Sequence, residues 1–194
     1  TNPASSTSAG DIRFKDLNSD GLINDNDRTF IGNPNPRFTY SLNNIFNIGN
    51  FDIAIFIQGV QGNDIFNANR LFTENMSVTT NQSTEVLNRW NGAGSSNNMP
   101  RAVFGDPNNN TRQSTRYIED GSYVRLKNVN ISYNVPLDAF KSKVFNALKL
   151  YVSAQNIFTI TNYSGFDPEV GVNGIDNNIY PVSRTFILGA TLGF

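Results

Sequence analysis

The residues best placed to do chemistry lie together early in the chain. Asp16, Asn18 and Asp20 alternate with Leu17 and Ser19, Gly21 follows, and Asp27 closes the stretch DLNSDGLINDND. Side-chain oxygens at loop positions 1, 3 and 5, the Leu22 carbonyl at position 7 and a carboxylate at position 12 are the donors of an EF-hand-type loop, and a glycine at position 6 permits its sharp turn. Ile23 would anchor such a loop on neighbouring apolar surface. Oxygen donors without imidazole or thiolate favour Ca2+ over Zn2+. The expected role of the ion is structural, stiffening an external loop. The twelfth position carries Asp where Glu is usual, and the shorter side chain reaches less far for bidentate contact. The same residues also fit an Asx-rich turn with no ion, held by side-chain to backbone bonds.

Other chemistry is poorly supplied. The chain has no His and no Cys, which removes imidazole general bases, Ser-His and Cys-His pairs, disulfides and thiolate metal sites. Gly59-Val60-Gln61-Gly62 and Gly92-Ala93-Gly94-Ser95 lack the Lys-Ser/Thr of a phosphate loop. No catalytic constellation is found, and no enzymatic activity is expected. A net charge of -1 with interspersed signs gives nucleic acid no basic face to meet. Asp64, Asp106, Glu119, Asp120, Asp167 and Glu169 fall in loops and read as solvated charge. Among loop aromatics, Phe66, Phe104, Tyr163 and Phe166 could stack on sugar rings or pack against a covering partner, whereas Phe72 and Trp90 read as helix packing.

The elements around these residues read as strands. Hydrophobic residues make up 38% of the chain, below the roughly 45–50% of ordinary globular domains, which leaves little to fill a water-soluble core. No run approaches the ~18 apolar residues of a membrane helix. Apolar and polar residues instead alternate, as in a β-strand. A loop at 1–36 holds the calcium-type motif. A hairpin follows at 37–60, turning at Gly49-Asn50. A long polar connection covers 61–116, with short helical patches expected near 64–72 and 84–90. Strands are expected at 117–135 and 147–160, within a block at 117–160 that turns over 136–146. A loop at 161–181 leads to a final strand at 182–194. Near Val124 and Leu126 the apolar parity flips, which a bulge would explain.

Three features favour a transmembrane barrel. The strands are long enough to cross a bilayer on a tilt, about 9 to 11 residues. Long and short connections alternate, as do outer-membrane loops and turns. Phe186, Leu188, Ala190, Leu192 and Phe194 form one stripe, similar to the C-terminal signal of bacterial outer-membrane proteins. Tyr40, Tyr133, Phe158 and Tyr180 are candidates for interfacial girdles. About five strands cannot close, since small barrels need about 8, so the rest of the barrel is expected elsewhere. The opening Thr1-Asn2-Pro3, without Met or a signal-like run, suggests a mature or truncated product. The fold class expected is all-β: antiparallel C-terminal strands of a large transmembrane β-barrel with long extracellular loops.

Four stretches carry a family resemblance: Gly10–Asn44, Asp120–Pro136, Leu148–Val170 and Tyr180–Phe194. In order and spacing the chain resembles the C-terminal segment of SusC/RagA-like TonB-dependent transporters. The resemblance implies a barrel in the outer membrane of a Gram-negative bacterium, with long loops outside and the C-terminus in the periplasm. It implies import of a glycan or oligopeptide, driven by TonB through a plug region absent from this chain. It also implies a SusD-like surface lipoprotein over the external loops and outer-membrane lipid around the strands. The alternative is a secreted calcium-binding β-module for adhesion or scaffold attachment, in which the terminal stripe would pack inside.

Overall fold

The computed structural model describes residues 7–136 and 146–194. The expected turn over 136–146 falls on 137–145, outside the described residues, as do residues 1–6. Five long strands form one antiparallel sheet: β1 (Phe38–Ile48), β2 (Phe51–Gln61), β5 (Tyr123–Asn134), β6 (Ala147–Thr161) and β8 (Thr185–Gly193), ordered β1-β2-β5-β6-β8. Short pieces complete the chain: β3 (Asp64–Asn67), the helix α1 (Ala68–Thr73), β4 (Ile118–Asp120) and β7 (Ile175–Asp176). Contacts divide the chain into two compact units. One holds the long sheet (34–65, 119–174 and 179–194), and the other is built from loop segments (residues up to 33, 66–118 and 175–178).

Cross-strand register shows why the sheet has two unlike faces. Leu42 opposes Ile57, Phe46 opposes Ile53 and Ile48 opposes Phe51. Phe51, Ile53 and Ile55 oppose Tyr133, Ile131 and Val129. Tyr133, Ile131 and Val129 oppose Leu150, Val152 and Ala154, which in turn oppose Ala190, Leu188 and Phe186. Partners directly opposite share a face, so one side of the sheet is apolar across all five strands. The other side carries Ser41, Gln58, Arg125 and Thr159 in one cross-strand row, and Asn130 and Ser153 in another.

The parity flip is a bulge, as expected. Phe56 opposes Asn128 and Ile57 opposes Leu126, so Lys127 has no opposite residue on β2. The break recurs against β6, where Leu126 meets Phe158 and Asn128 meets Gln155. Asn156 there takes a left-handed conformation, φ +52°. One extra residue returns Val124 and Leu126 to the apolar side.

That apolar side is exposed. Phe186 is 71% exposed and Leu188 85%. Buried apolar side chains are instead Ile65, Ala68, Val86, Met99, Tyr117, Tyr123 and Tyr163, none of them on the apolar face. The secreted-module reading required the Phe186–Phe194 stripe to be interior, and nothing supports it. Of the girdle candidates, Tyr40, Tyr133 and Phe158 lie on the apolar face, whereas Tyr180 sits outside any strand.

Two expectations about elements need correction. The strand expected over 117–135 is broken between β4 and β5. Asp120 accepts from the Ser122 amide at 2.9 Å, and the Gly121 amide bonds the Asn63 carbonyl at 2.8 Å. A Cβ at Gly121 would come 2.7 Å from the Ile65 side chain, so the chain passes too closely there for a larger residue. The helix expected over 64–72 begins as β3. Phe66 and Asn67 pair in parallel with Ile175 and Asp176, and this long-range pairing overrides local helical preference. Near 84–90 a single 3-10 turn covers Thr84–Asn88.

Candidate functional site

The polar face of the sheet carries the most constrained charged cluster in its unit. Arg125 on β5 has a side chain only 2% exposed. Its Nε donates to Thr159 Oγ1 on β6 at 2.8 Å. Its Nη1 donates to Glu169 at 2.7 Å and its Nη2 to Asp167 at 2.5 Å. Its guanidinium lies 5.3 Å from the centre of the Tyr123 ring. Lys127, brought round by the bulge, adds a second cation to Glu169 at 2.8 Å. Burial alone would raise the Asp167 pKa. The Glu169 amide, the Arg125 guanidinium and the Val182 amide outweigh it and hold the carboxyl below its ordinary value. The cluster thus clamps the connection after β6 onto the polar strands.

Asp167 and Glu169 are therefore not solvated loop charge. The same correction applies to Asp120, bonded by Ser122 as described above, and to two other acids. Asp106 accepts from the Asn110 amide at 2.6 Å and the Thr111 amide at 2.9 Å. Glu119 accepts from the Ser164 amide and hydroxyl, each at 2.8 Å. Sequence reading missed Arg125. Its signal was a cation at a mid-strand position in line with Asn and Ser, one residue before the parity break.

In the loop unit, Arg101 pairs with Asp11 at 2.8 Å, and Arg116 and Arg70 converge on Glu74. Asn108 is fully buried and donates to the Ile12 carbonyl at 3.0 Å. Of the loop aromatics, Tyr163 is buried and unavailable for stacking, and Phe72 is 62% exposed, against the packing expected of it. Trp90 packs over Gly10, where a Cβ would meet its ring at 2.3 Å. Phe104 and Phe166 are exposed.

The five proposed calcium ligands are each placed. Asp16 accepts from the Ser19 and Gly21 amides at 2.6 and 2.8 Å. Asn18 accepts from the Asp20 amide at 3.1 Å, and Asp20 from the Leu22 amide at 2.8 Å. Asp27 accepts from the Leu17 and Asn24 amides at 2.8 and 2.7 Å. The amides of Asn24 and then Leu17 hold the Asp27 carboxyl below its ordinary pKa. Gly21 sits at φ +79° and Ser19 at +62°, the left-handed region that glycine enters without steric cost. These bonds make the Asx-rich turn. Among the described residues, no three acidic, His or Cys side chains gather as a metal-binding group, so the fit to an ion rests on donor type and spacing.

No protein-family model matches the chain. It is 35% identical to the TonB-dependent receptor P3 of Formosa agariphila over 93% of this chain and 19% of that protein. It is 28% identical to the TonB-dependent receptor SusC of Bacteroides thetaiotaomicron, over 93% of this chain and 17% of that one. Among solved structures, the RagAB peptide importer in its open-open state matches with a TM-score of 0.71 at 28% identity, covering 82% of this chain and 17% of that one. The chain is a segment of a SusC/RagA-like TonB-dependent receptor. This SusC/RagA-like segment spans about a fifth of the length of the curated relatives it matches. Its five-stranded antiparallel sheet and the order of its strands are the part of the receptor fold it supplies.

Proposed function

We propose that the segment forms part of the wall of an outer-membrane, TonB-dependent nutrient importer. The observation that carries this is the apolar face continuous over five strands and left open. Water penalises so wide a face, whereas hydrocarbon covers it without cost. The edge strands β1 and β8 require further strands, because an open ladder in lipid leaves backbone groups unpaired at several kcal/mol each. The long connections leave one end of the sheet, and Gly49-Asn50 and the Phe194 end lie at the other. We place the long loops outside the cell and Phe194 in the periplasm. The polar face then lines the lumen. A glycan or oligopeptide is the cargo, a SusD-like lipoprotein covers the loops, and TonB acts through a plug supplied by other parts of the receptor.

This chain contributes no Cys, so the test is direct in a full-length receptor from which any Cys elsewhere has been replaced. Single Cys replacements at Leu188 and Phe186 in the full-length receptor should resist a water-soluble maleimide in native membranes. Replacements at Phe104 should react from outside intact cells, and those at Asn50 should not. Equal labelling at all four positions would refute the proposed placement.

The calcium role of Asp16, Asn18, Asp20, Leu22 and Asp27 belongs to the same proposal and is supported by ligand types and spacing. Calcium should raise the thermal midpoint of the full-length receptor, and Asp20→Ala should abolish that rise. No calcium-dependent shift in the unsubstituted receptor would leave the loop as an ion-free turn.

A further inference from the structure

The loop unit contains an open crevice of about 1090 Å³ between residues 12–31 and 112–116. That is slightly above the ~300–1,000 Å³ typical of small-molecule sites. Its charge is unbalanced. Arg13, Lys15 and Arg112 line it, and among the described residues none lies within salt-bridge distance of a carboxylate. The two acids on its rim, Asp25 and Asp27, leave positive charge in excess, although the Asp27 carboxylate also acts on Arg112. Asp27 accepts two backbone amides, and Asp25 pairs with Arg28 at 3.0 Å. Arg116, also on the wall, is held by Glu74. The Arg112 guanidinium stands 4.9 Å over the Phe14 ring, so one face of that ring is covered. The remaining apolar lining is aliphatic and includes Ile12, Leu17 and Ile31.

We infer that this crevice binds an acidic peptide segment, with its carboxylates on Arg13, Lys15 and Arg112 and its apolar side chains on the aliphatic wall. Guanidinium and ammonium groups outside any salt bridge recruit carboxylates. The aliphatic lining favours peptide over sugar, whose ring faces prefer open aromatic surfaces. As a capture site for cargo the crevice rests on the importer reading. As a binding site it stands on charge and shape alone.

The test uses the full-length receptor in detergent and a short fluorescent peptide of alternating Glu and Leu. Binding by anisotropy should weaken about tenfold when Gln replaces Glu, and by a similar factor in Arg13→Gln/Lys15→Gln. It should also weaken as salt rises from about 50 to about 200 mM. Arg13 and Lys15 are exposed, so the double variant should keep the thermal midpoint of the parent. Arg112→Gln provides a second, independent variant, expected to act in the same direction. Equal affinity for the Glu and Gln peptides, or tighter binding of an oligogalacturonate than of the peptide, would overturn the inference. Charge-dependent binding without uptake by cells would instead count against the importer reading and leave the crevice intact. Uptake of peptides with no dependence on their charge would do the opposite.

Discussion

At the scale of single residues, Arg125 is the position with most at stake. Its guanidinium is committed to two carboxylates, a hydroxyl and an aromatic ring, and it is nearly sealed from water. Arg125→Met would leave Asp167, 6% exposed, as an uncompensated buried charge, a loss typically of about 3–5 kcal/mol. Cleavage of the connection between β6 and β8 by added protease should become faster in this variant, while Lys127→Met should have a smaller effect because Arg125 still holds Glu169. Acid should mimic the first variant. The Asp167 carboxyl is held below 3.8, so its contribution is fully present above that value. It is lost as the pH falls through the lower, folded-state pKa. Protease sensitivity that is flat from pH 6 to pH 2, as flagged by an acid-stable protease over about that range, would contradict the clamp. The acids of this cluster were not legible in sequence, because nothing local distinguishes an Asp in a Gly/Pro-rich loop from one that folds back onto a strand. The Asx-rich turn at Asp16–Asp27 was legible, since all its members are neighbours in the chain.

At the scale of elements, the strands were legible wherever two-residue alternation ran unbroken, as in β1, β2 and β8. Sequence reading lost track where a non-local partner decided the structure. The β3 pairing with Ile175 and Asp176 and the close pass at Gly121 have no local signature. The bulge at Lys127 lies between these cases, since the parity break announced it without saying which residue was extra. Deleting Lys127 should test its purpose. Without it, Val124 and Leu126 turn to the polar side, and Tyr123 and Arg125 to the apolar side. We expect the deletion to abolish accumulation in the outer membrane, read by blotting membrane fractions. Leu188→Arg, on the apolar face, should destabilise the barrel by about 2–4 kcal/mol if it lies near the membrane midplane. Thr191→Arg, on the polar face, should cost much less in the same refolding measurement. Equal costs would mean the two faces have been assigned the wrong way round.

At the scale of the whole molecule, the segment keeps its buried apolar groups away from the apolar face of its principal sheet. Ala68, Val86, Met99 and Tyr117 are packed in the loop unit, and the five strands present their greasy side to the surroundings. If that side meets lipid as proposed, one polypeptide is written for two solvents, and the two halves should yield to different insults. Urea, which acts through water, should melt the loop unit first and leave strand infrared signatures intact in a receptor held in lipid. Stripping away the amphiphile should do the reverse and precipitate the sheet through its bare flank. A receptor whose loops and strands lose structure together under both treatments would not have this divided allegiance.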